Sequence, residues 1–477
     1  MRIPTLVLII YCLIISVVSP GQTQVPATSS KWTEDNCHAD FQNGAIHLNN
    51  TSGKAAILWM TNTTFRTGTI ELDIKGKDVR GESFVGVAFH GKDNTQYDAV
   101  YFRPFNFRDT ERKDRAIQYI SLPSFEWDLL REKHPGKYEH SIVPDTDPND
   151  WFHVKIVVNY RSVKVFMNGS DQPALEIEQL SDGKYNRLGL WIDSADGWFR
   201  NVSVHNDIVK EQKLIVSALS GETRIDNKVK LESRWTNKEK MVARNFLKTT
   251  LSGVGLETQE HPYEVHLSHV KPSRNPLRGT NLFVNIPASI KSNEYVILGA
   301  HYDTVSESPG AMDNSTGCAL IYSLAKQITR MPNRRKNVIV VFFDQEEVGH
   351  AGSYAFANYV KEAGFDVNSV HTFDMIGWDK DGDRSIELEL PTAELEALYK
   401  KHTDVFNIMA YKTETSETDH REFRNAGFNA IGIGGEYKNG DTSPHHHRPT
   451  DRMETVDFEY LAFVTLLVYE VIEELIK

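Results

Sequence analysis

The feature that most restricts this chain is a change of hydrophobic period near residue 206. Before that point apolar residues recur at every second position, as in Gly68-Thr-Ile-Glu-Leu-Asp-Ile74, Trp151-Phe-His-Val-Lys-Ile-Val-Val158 and Val163-Lys-Val-Phe-Met167. Side chains of an extended strand point alternately to its two faces, so this pattern belongs to half-buried antiparallel strands. Asn168-Gly169, directly after one run, is a hairpin signal. Phe84-Val-Gly-Val-Ala-Phe89 and Leu188-Gly-Leu-Trp-Ile192 are more continuously apolar, as inner strands are. Residues 30–206 therefore read as an all-β sandwich of jelly-roll type.

The stretch 207–235 is charged and helix-compatible, and we place a domain boundary there. A second domain over 212–477 follows, in which helical and strand patterns alternate. Helices are expected near 238–251, 319–329, 353–363 and 393–405 and from Phe458 onward. Strands are expected at 263–270, 281–286, 295–298, 337–343, 370–373 and 430–433. Such alternation predicts an α/β fold with helices on both faces of a mostly parallel sheet. Two domains also suit a length of 477 residues, because single cores stop growing at roughly 250 to 300.

Composition narrows the functional classes. Hydrophobic residues at 40% and charged residues at 25% exclude a collagenous, disordered or membrane-embedded chain. A net charge of -12 argues against nucleic acid or anionic lipid as partner, since phosphate binding needs clustered Lys and Arg. Residues 1–24 read as an export signal: Arg2, an apolar run from Leu6 to Val18, then small or polar residues. That run is shorter than the roughly 20 residues needed to span a bilayer, so the expectation is a secreted or periplasmic protein without a transmembrane anchor. The apolar helix from Phe458 is interrupted by Glu459, Glu470, Glu473 and Glu474, which points to core packing. Beyond the signal only Cys37 and Cys318 remain, in different domains, so no disulfide framework is expected. Of six Asn-x-Ser/Thr sequons, the one at Asn314 falls among the candidate ligands described next, which argues against systematic glycosylation.

Several chemically capable residues follow apolar strands, and open α/β sheets bind ligands at the carboxyl ends of their strands. Tyr295-Val-Ile-Leu-Gly-Ala-His301-Tyr-Asp303 offers His301, with Asp303 two residues on and able to orient the imidazole. Asp313 comes twelve residues after His301 at a helix start. Asn337-Val-Ile-Val-Val-Phe-Phe-Asp-Gln-Glu346-Glu347 supplies adjacent carboxylates, one able to bind a metal while the other moves protons. Asp374 ends another strand, and three histidines, His445 to His447, come late. Two His and three Asp or Glu ligands suit a pair of Zn²⁺ ions with one bridging carboxylate.

The segments Gly299-Ala-His-Tyr-Asp-Thr304, Asp313-Asn-Ser-Thr-Gly317, Phe342-Phe-Asp-Gln-Glu-Glu-Val-Gly-His-Ala-Gly-Ser353, Asp374-Met-Ile-Gly377 and Thr418-Asp-His-Arg-Glu-Phe-Arg-Asn-Ala-Gly-Phe-Asn-Ala-Ile-Gly-Ile433 together resemble the dizinc aminopeptidase family. That family contains bacterial leucyl aminopeptidases and, more distantly, glutaminyl cyclases, and the likeness spans 212–477. The resemblance implies that His301 and Asp374 bind one zinc, Glu347 and His447 the other, and Asp313 both. It makes Glu346 the general base for a hydroxide held between the ions, which attacks the scissile carbonyl of a peptide substrate. His447 is singled out because the family places an Asp four residues after its last His ligand, here Asp451. Where some relatives carry a tyrosine before that ligand this chain has His446, so the group that stabilises the oxyanion stays open. His446, Asp419 and His420 are candidates for the substrate pocket.

Two other readings remain. A glutaminyl cyclase shares the fold and usually holds one zinc, and a catalytically dead binding protein would hold none. The first domain, with Trp151–Gly169 followed by Leu188–Val204, is similar to concanavalin- or laminin-G-like sandwiches, which often bind glycans. Trp127, Trp191 and Trp198 are its candidate stacking platforms, or else core residues.

Overall fold

The computed structural model describes residues 23–194 and 196–477. The expected export signal lies outside them except for Thr23 and Gln24, which pair with Val204 and Ser203 of a sandwich strand. The first domain is two antiparallel sheets face to face, one of eight strands and one of seven. Along Gly68–Lys75 buried and half-buried residues alternate strictly, as the sequence period demands. Ala56–Met60 in the other sheet is buried at every position. Ser162–Met167 turns back through Asn168 and Gly169, both at positive φ, to pair with Leu175–Glu178. Cys37 and Cys318 are buried and unbonded to each other.

The first part of the stretch expected as a boundary, Asp207–Leu219, is helix. Strand Gly197–Asn206 runs directly into helix α1 (Asp207–Leu219), capped by the Asn206 side chain on the Ile208 N–H. Ile208, Val209, Ile215, Val216 and Leu219 of α1 join the core of the second domain. Helix α2 (Asn237–Gly253) opens on a Thr236/Glu239 capping box.

The second domain is built on strands β1 (Thr258–Val265), β2 (Leu277–Ile286), β3 (Glu294–His301), β4 (Asn337–Phe343), β5 (Asp366–Asp374), β6 (Ile386–Glu389), β7 (Ala410–Thr413) and β8 (Ala430–Gly434). They lie in the order β1-β2-β4-β3-β5-β8-β6-β7. The pairs β4/β3, β3/β5, β5/β8 and β6/β7 are parallel, whereas β1/β2, β2/β4 and β8/β6 are antiparallel. The sheet is therefore mixed, with a parallel centre, and the expectation of a mostly parallel sheet holds in part. β6 and β7 are four-residue strands whose periodicity is too short to read from sequence.

Helices α3 (Thr316–Arg330), α5 (Ala393–Phe406) and α7 (Phe458–Ile476) cover one face with α1 and α2. α4 (Ala351–Glu362) and α6 (His420–Asn425) cover the other, around Phe343, Phe356, Val360 and Phe423. Glu459 and Glu470 of α7 turn toward the sandwich, where they accept from the Thr64 N–H at 3.1 Å and the Arg66 guanidinium at 3.3 Å. α7 is thus a core helix, and among the described residues no helix is long and apolar enough to cross a membrane.

Burying a Val, Ile or Leu side chain contributes about 1.5–3 kcal/mol against a domain stability of about 5–15 kcal/mol. The six buried apolar residues of α1, Ala218 among them, are therefore indispensable to the second domain. A chain beginning at Asp207 is expected to retain a cooperative thermal transition, and one beginning at Glu222 to lose it. Circular dichroism melts of the two truncations check this, and equal cooperativity would contradict it.

Candidate metal centre

The parallel registers bring four strand ends to one edge. His301, the last residue of β3, lies beside Phe343 at the end of β4, and Asp374, the last of β5, lies beside Gly434 at the end of β8. Glu346 and Glu347 sit in the short helical turn after β4, Asp313 just before α3, and His447 in the loop after β8. Two glycines permit this crowding. A Cβ at Gly317 would stand 2.7 Å from the Phe373 carbonyl oxygen, and one at Gly352 would stand 2.2 Å from that of Asp344.

Asp313 occupies the middle. Its Oδ1 is 3.3 Å from His301 Nε2, which is also 3.4 Å from Asp374 Oδ1. Its Oδ2 is 3.2 Å from His447 Nε2, which is 2.9 Å from Glu347 Oε2. The five residues thus divide into two donor sets, His301 with Asp374 and Glu347 with His447, joined through the two oxygens of one carboxylate. His301 Nε2, Asp374 Oδ1 and Glu347 Oε1 are buried without a hydrogen-bond partner. Three such atoms converging on one place match the donor set of a cation.

The electrostatics agree. Burial, then Asp313, pushes Glu347 up to about 8, and burial, then Glu346, does the same to Asp419. Asp313 and Glu347 push His447 up to about 10. Burial opposes charging of His301, yet Asp374 and Glu346 hold it protonated well above the usual imidazole range. Crowded carboxylates here draw in positive charge by every route open to them.

Backbone and neutral groups fix the ligands. Asp303 stands 3.5 Å from His301 Nδ1, but its carbonyl oxygen is nearer, at 3.3 Å. Its carboxylate also accepts from the N–H groups of Glu346 at 3.0 Å and Glu347 at 3.3 Å, so it anchors the glutamate turn. Asp451 accepts from the N–H groups of Met312 at 2.8 Å and Asp313 at 3.1 Å. Arg234, fully buried, donates to the carbonyls of Leu219, Tyr302, Pro309 and Gly310 and ties down the loop between His301 and Asp313. Asn314 is buried and donates to the Phe373 carbonyl, which leaves its amide no room for a glycan.

Glu346 is buried beside the cluster, with Oε1 3.3 Å from His350 Nε2, and burial raises its pKa. His350 Nε2 is also 3.0 Å from the Glu417 carbonyl, and its Nδ1 is 3.6 Å from Glu422. A cavity of about 330 Å³ opens over these groups, lined also by Glu389, Thr418, Tyr437 and His446. No Lys or Arg lines it. His446 is 3.4 Å from Asp313 Oδ2 and stands edge-on to Tyr437.

Asp419 and His420 lie behind the cavity rather than on its wall. His420 faces the Thr415 carbonyl and Thr418 Oγ1, each at 3.0 Å. His350, Glu389, Tyr437 and Arg234 are missing from the sequence reading, because nothing in their local pattern signals proximity to residues up to two hundred positions away. A cleft of about 850 Å³ between the domains contains none of the candidate ligands.

Asp451→Asn replaces one acceptor with an amide that must face a backbone N–H. Leaving a buried donor unpaired costs about 1–3 kcal/mol. The variant is expected to lose that much stability in denaturant unfolding and to bind divalent metal more weakly by calorimetry. Wild-type values for both would show that Asp451 does not position Asp313.

Residues 281–472 match the family described as Peptidase family M28, and residues 26–205 match the 3-keto-alpha-glucoside-1,2-lyase-like domain. Aminopeptidase YwaD of Bacillus subtilis is 28% identical over 203 residues, which is 39% of this chain and 43% of that protein. The chain spans about half the length of the curated relatives it matches. Solved structures that overlay include the LapA aminopeptidase of Legionella pneumophila (19% identical, TM-score 0.46, 57% of this chain and 74% of that one) and a glutaminyl cyclase of Porphyromonas gingivalis (18%, 0.47, 57% and 100%). The chain therefore carries a peptidase family M28 domain behind a domain of the 3-keto-alpha-glucoside-1,2-lyase-like family.

Proposed function

We propose that the second domain is a zinc-dependent exopeptidase that releases the N-terminal residue of peptides. The observation that carries this reading is Asp313, whose two oxygens face separate donor sets containing three buried atoms without partners. His301 and Asp374 would hold one zinc, Glu347 and His447 the other, and Asp313 both. Zinc bound there lowers the pKa of water it holds and polarises the scissile carbonyl.

Glu346 takes the proton of the attacking water and returns it to the departing amine, both halves of general acid–base catalysis. Burial raises its pKa toward the range that such a dual role needs, and His350 orients it. The cavity selects the end of the peptide: walls bearing Glu346, Glu389 and Asp374 and no Lys or Arg attract a terminal ammonium and repel a terminal carboxylate. Either His446 or Tyr437, both on the cavity wall, can meet the developing oxyanion. An export signal at the N-terminus would place this activity outside the cytoplasm.

Glu346→Gln is expected to keep wild-type zinc, near two ions per chain, while kcat falls by about 10²- to 10⁴-fold with KM little changed. Glu347→Gln is expected to lose zinc. Mass-spectrometric metal content with kinetics on unblocked and N-blocked peptides checks both. Near one zinc would favour a cyclase and near none a binding scaffold, and zinc lost from the Glu346 variant instead would reverse the roles of the two glutamates.

For the sandwich domain we infer a glycan ligand at one place. Trp191 is buried on Tyr101 and Trp198 is stacked on His47, so both serve packing. Trp127 remains 45% exposed and borders a cavity of about 440 Å³ with Tyr97, Arg103 and Asp193 on the outer face of the seven-stranded sheet. Aromatic faces beside planar hydrogen-bonding groups suit a pyranose. On a glycan array Trp127→Ala should lose at least tenfold of any binding the wild type shows, and an array without hits would remove this reading.

A further inference from the structure

A second cluster of oxygen ligands lies apart from the candidate metal centre, on the loops that follow β5 and β8. In Asp379-Lys-Asp381-Gly-Asp383 acidic residues alternate around Gly382, which has φ +78°. Carboxylate oxygens of Asp379, Asp381 and Asp383 come within 4.8 Å of one another, and so do those of Asp381, Glu436 and Asp441. None of these five residues makes an ion pair with Lys or Arg among the described residues.

Acidic loops are common, and hydrogen bonds explain much of this one. Asp379, Asp381 and Asp383 accept from the N–H groups of Arg384, Asp383 and Ser385 at 3.1, 3.2 and 2.8 Å. Asp441 accepts from the Trp378 indole at 3.0 Å and from the Lys380 N–H. Glu436 is different. It is 8% exposed, has no hydrogen-bond or ion-pair partner among the described residues, and brings its carboxylate within 4.8 Å of those of Asp381 and Asp441. Glu387, itself buried, holds the Lys438 and Asn439 N–H groups with one oxygen and leaves the other without a partner. A carboxylate largely withdrawn from water and aimed at other carboxylates is costly unless a cation sits between them.

We propose that one calcium ion binds where Asp381, Glu436 and Asp441 converge, with Asp379 and Asp383 beside them. The donors are all hard oxygens, without His or Cys, and more carboxylates converge than magnesium takes from protein. The Asp spacing serves the same end as in other calcium loops, but no helix–loop–helix surrounds it.

The site joins the loop after β5 to the loop that carries Tyr437, His446 and His447. Trp378, bound to Asp441, lies 5.5 Å from the His445 ring, and Glu436 adjoins Tyr437 on the cavity wall. Calcium therefore holds the loop that presents His447, a consequence that rests on the zinc reading above. Calcium binding itself does not.

The test uses the full chain, loaded with zinc and freed of calcium by dialysis. Titration calorimetry should detect one equivalent of Ca²⁺, and Tb³⁺ at the same place should luminesce on excitation of Trp378. Calcium at 100 times its Kd should raise the unfolding temperature by roughly 5 °C, and millimolar Mg²⁺ should not reproduce this. The double variant Asp381→Asn/Glu436→Gln should lose all three responses and keep its zinc. Should it not fold, Asp441→Asn is read in its place. No calcium heat with the wild type, or one equivalent still bound by the variants, would overturn the site. Peptidase activity enters none of these readouts, so failure of the enzymatic reading would be seen separately.

Discussion

Everything in the second domain answers to the repulsion among carboxylates gathered at one edge of its sheet. Asp313, Glu346 and Asp374 are less than one-tenth exposed and the Glu347 side chain is 5% exposed, and two like charges 4 Å apart near a protein surface repel by about 4 kcal/mol. Several such pairs would consume the stability of an ordinary domain. The arrangement is tolerable only because imidazoles and, in the proposed function, metal ions stand between the carboxylates. Binding a cation there contributes directly to folding stability.

The scaffold around the cluster supplies positive potential without adding mobile charge inside it. Asp303 and Asp451 spend their own carboxylates on backbone N–H groups, which holds the Glu346–Glu347 turn and Asp313 in place. Arg234 is saturated by carbonyls rather than by a carboxylate, so it braces the loop from Tyr302 to Gly310 without neutralising a ligand. The same logic extends along the edge to Glu436, where the loops after β5 and β8 meet a second time.

The two domains are less separable than a change of period implies. The last sandwich strand becomes α1 without a linker, and α7, which closes the core of the second domain, carries Glu459 and Glu470 to the sandwich. Arg66 caps this contact, lying over the Tyr469 ring as well as pairing with Glu470. The sandwich thereby bears on the helix that packs behind α3, the element that Asp313 introduces.

The sequence by itself determined the class of each domain and singled out most residues of the candidate metal centre. Period two and strand–helix alternation are local consequences of burying one face, and His301, Asp313, Glu346, Glu347 and Asp374 announce themselves because each follows an apolar strand or opens a helix. His447 among three adjacent histidines was legible only through likeness to a family, since its local pattern equals that of His446. What tertiary structure alone decided is direction and long-range company. The antiparallel flanks of the sheet depend on hydrogen-bonding partners that a local pattern does not encode, and β6 and β7 are too short to show a period. Asp303 shares its carboxylate between His301 and the glutamate turn, Asp419 and His420 fell behind the pocket, and Arg234, His350, Glu389 and Glu436 acquired their meaning from neighbours far along the chain. Hydrophobic periodicity records burial, which is a property of one residue; electrostatic and hydrogen-bonding roles belong to pairs, and only the folded chain selects the pairs.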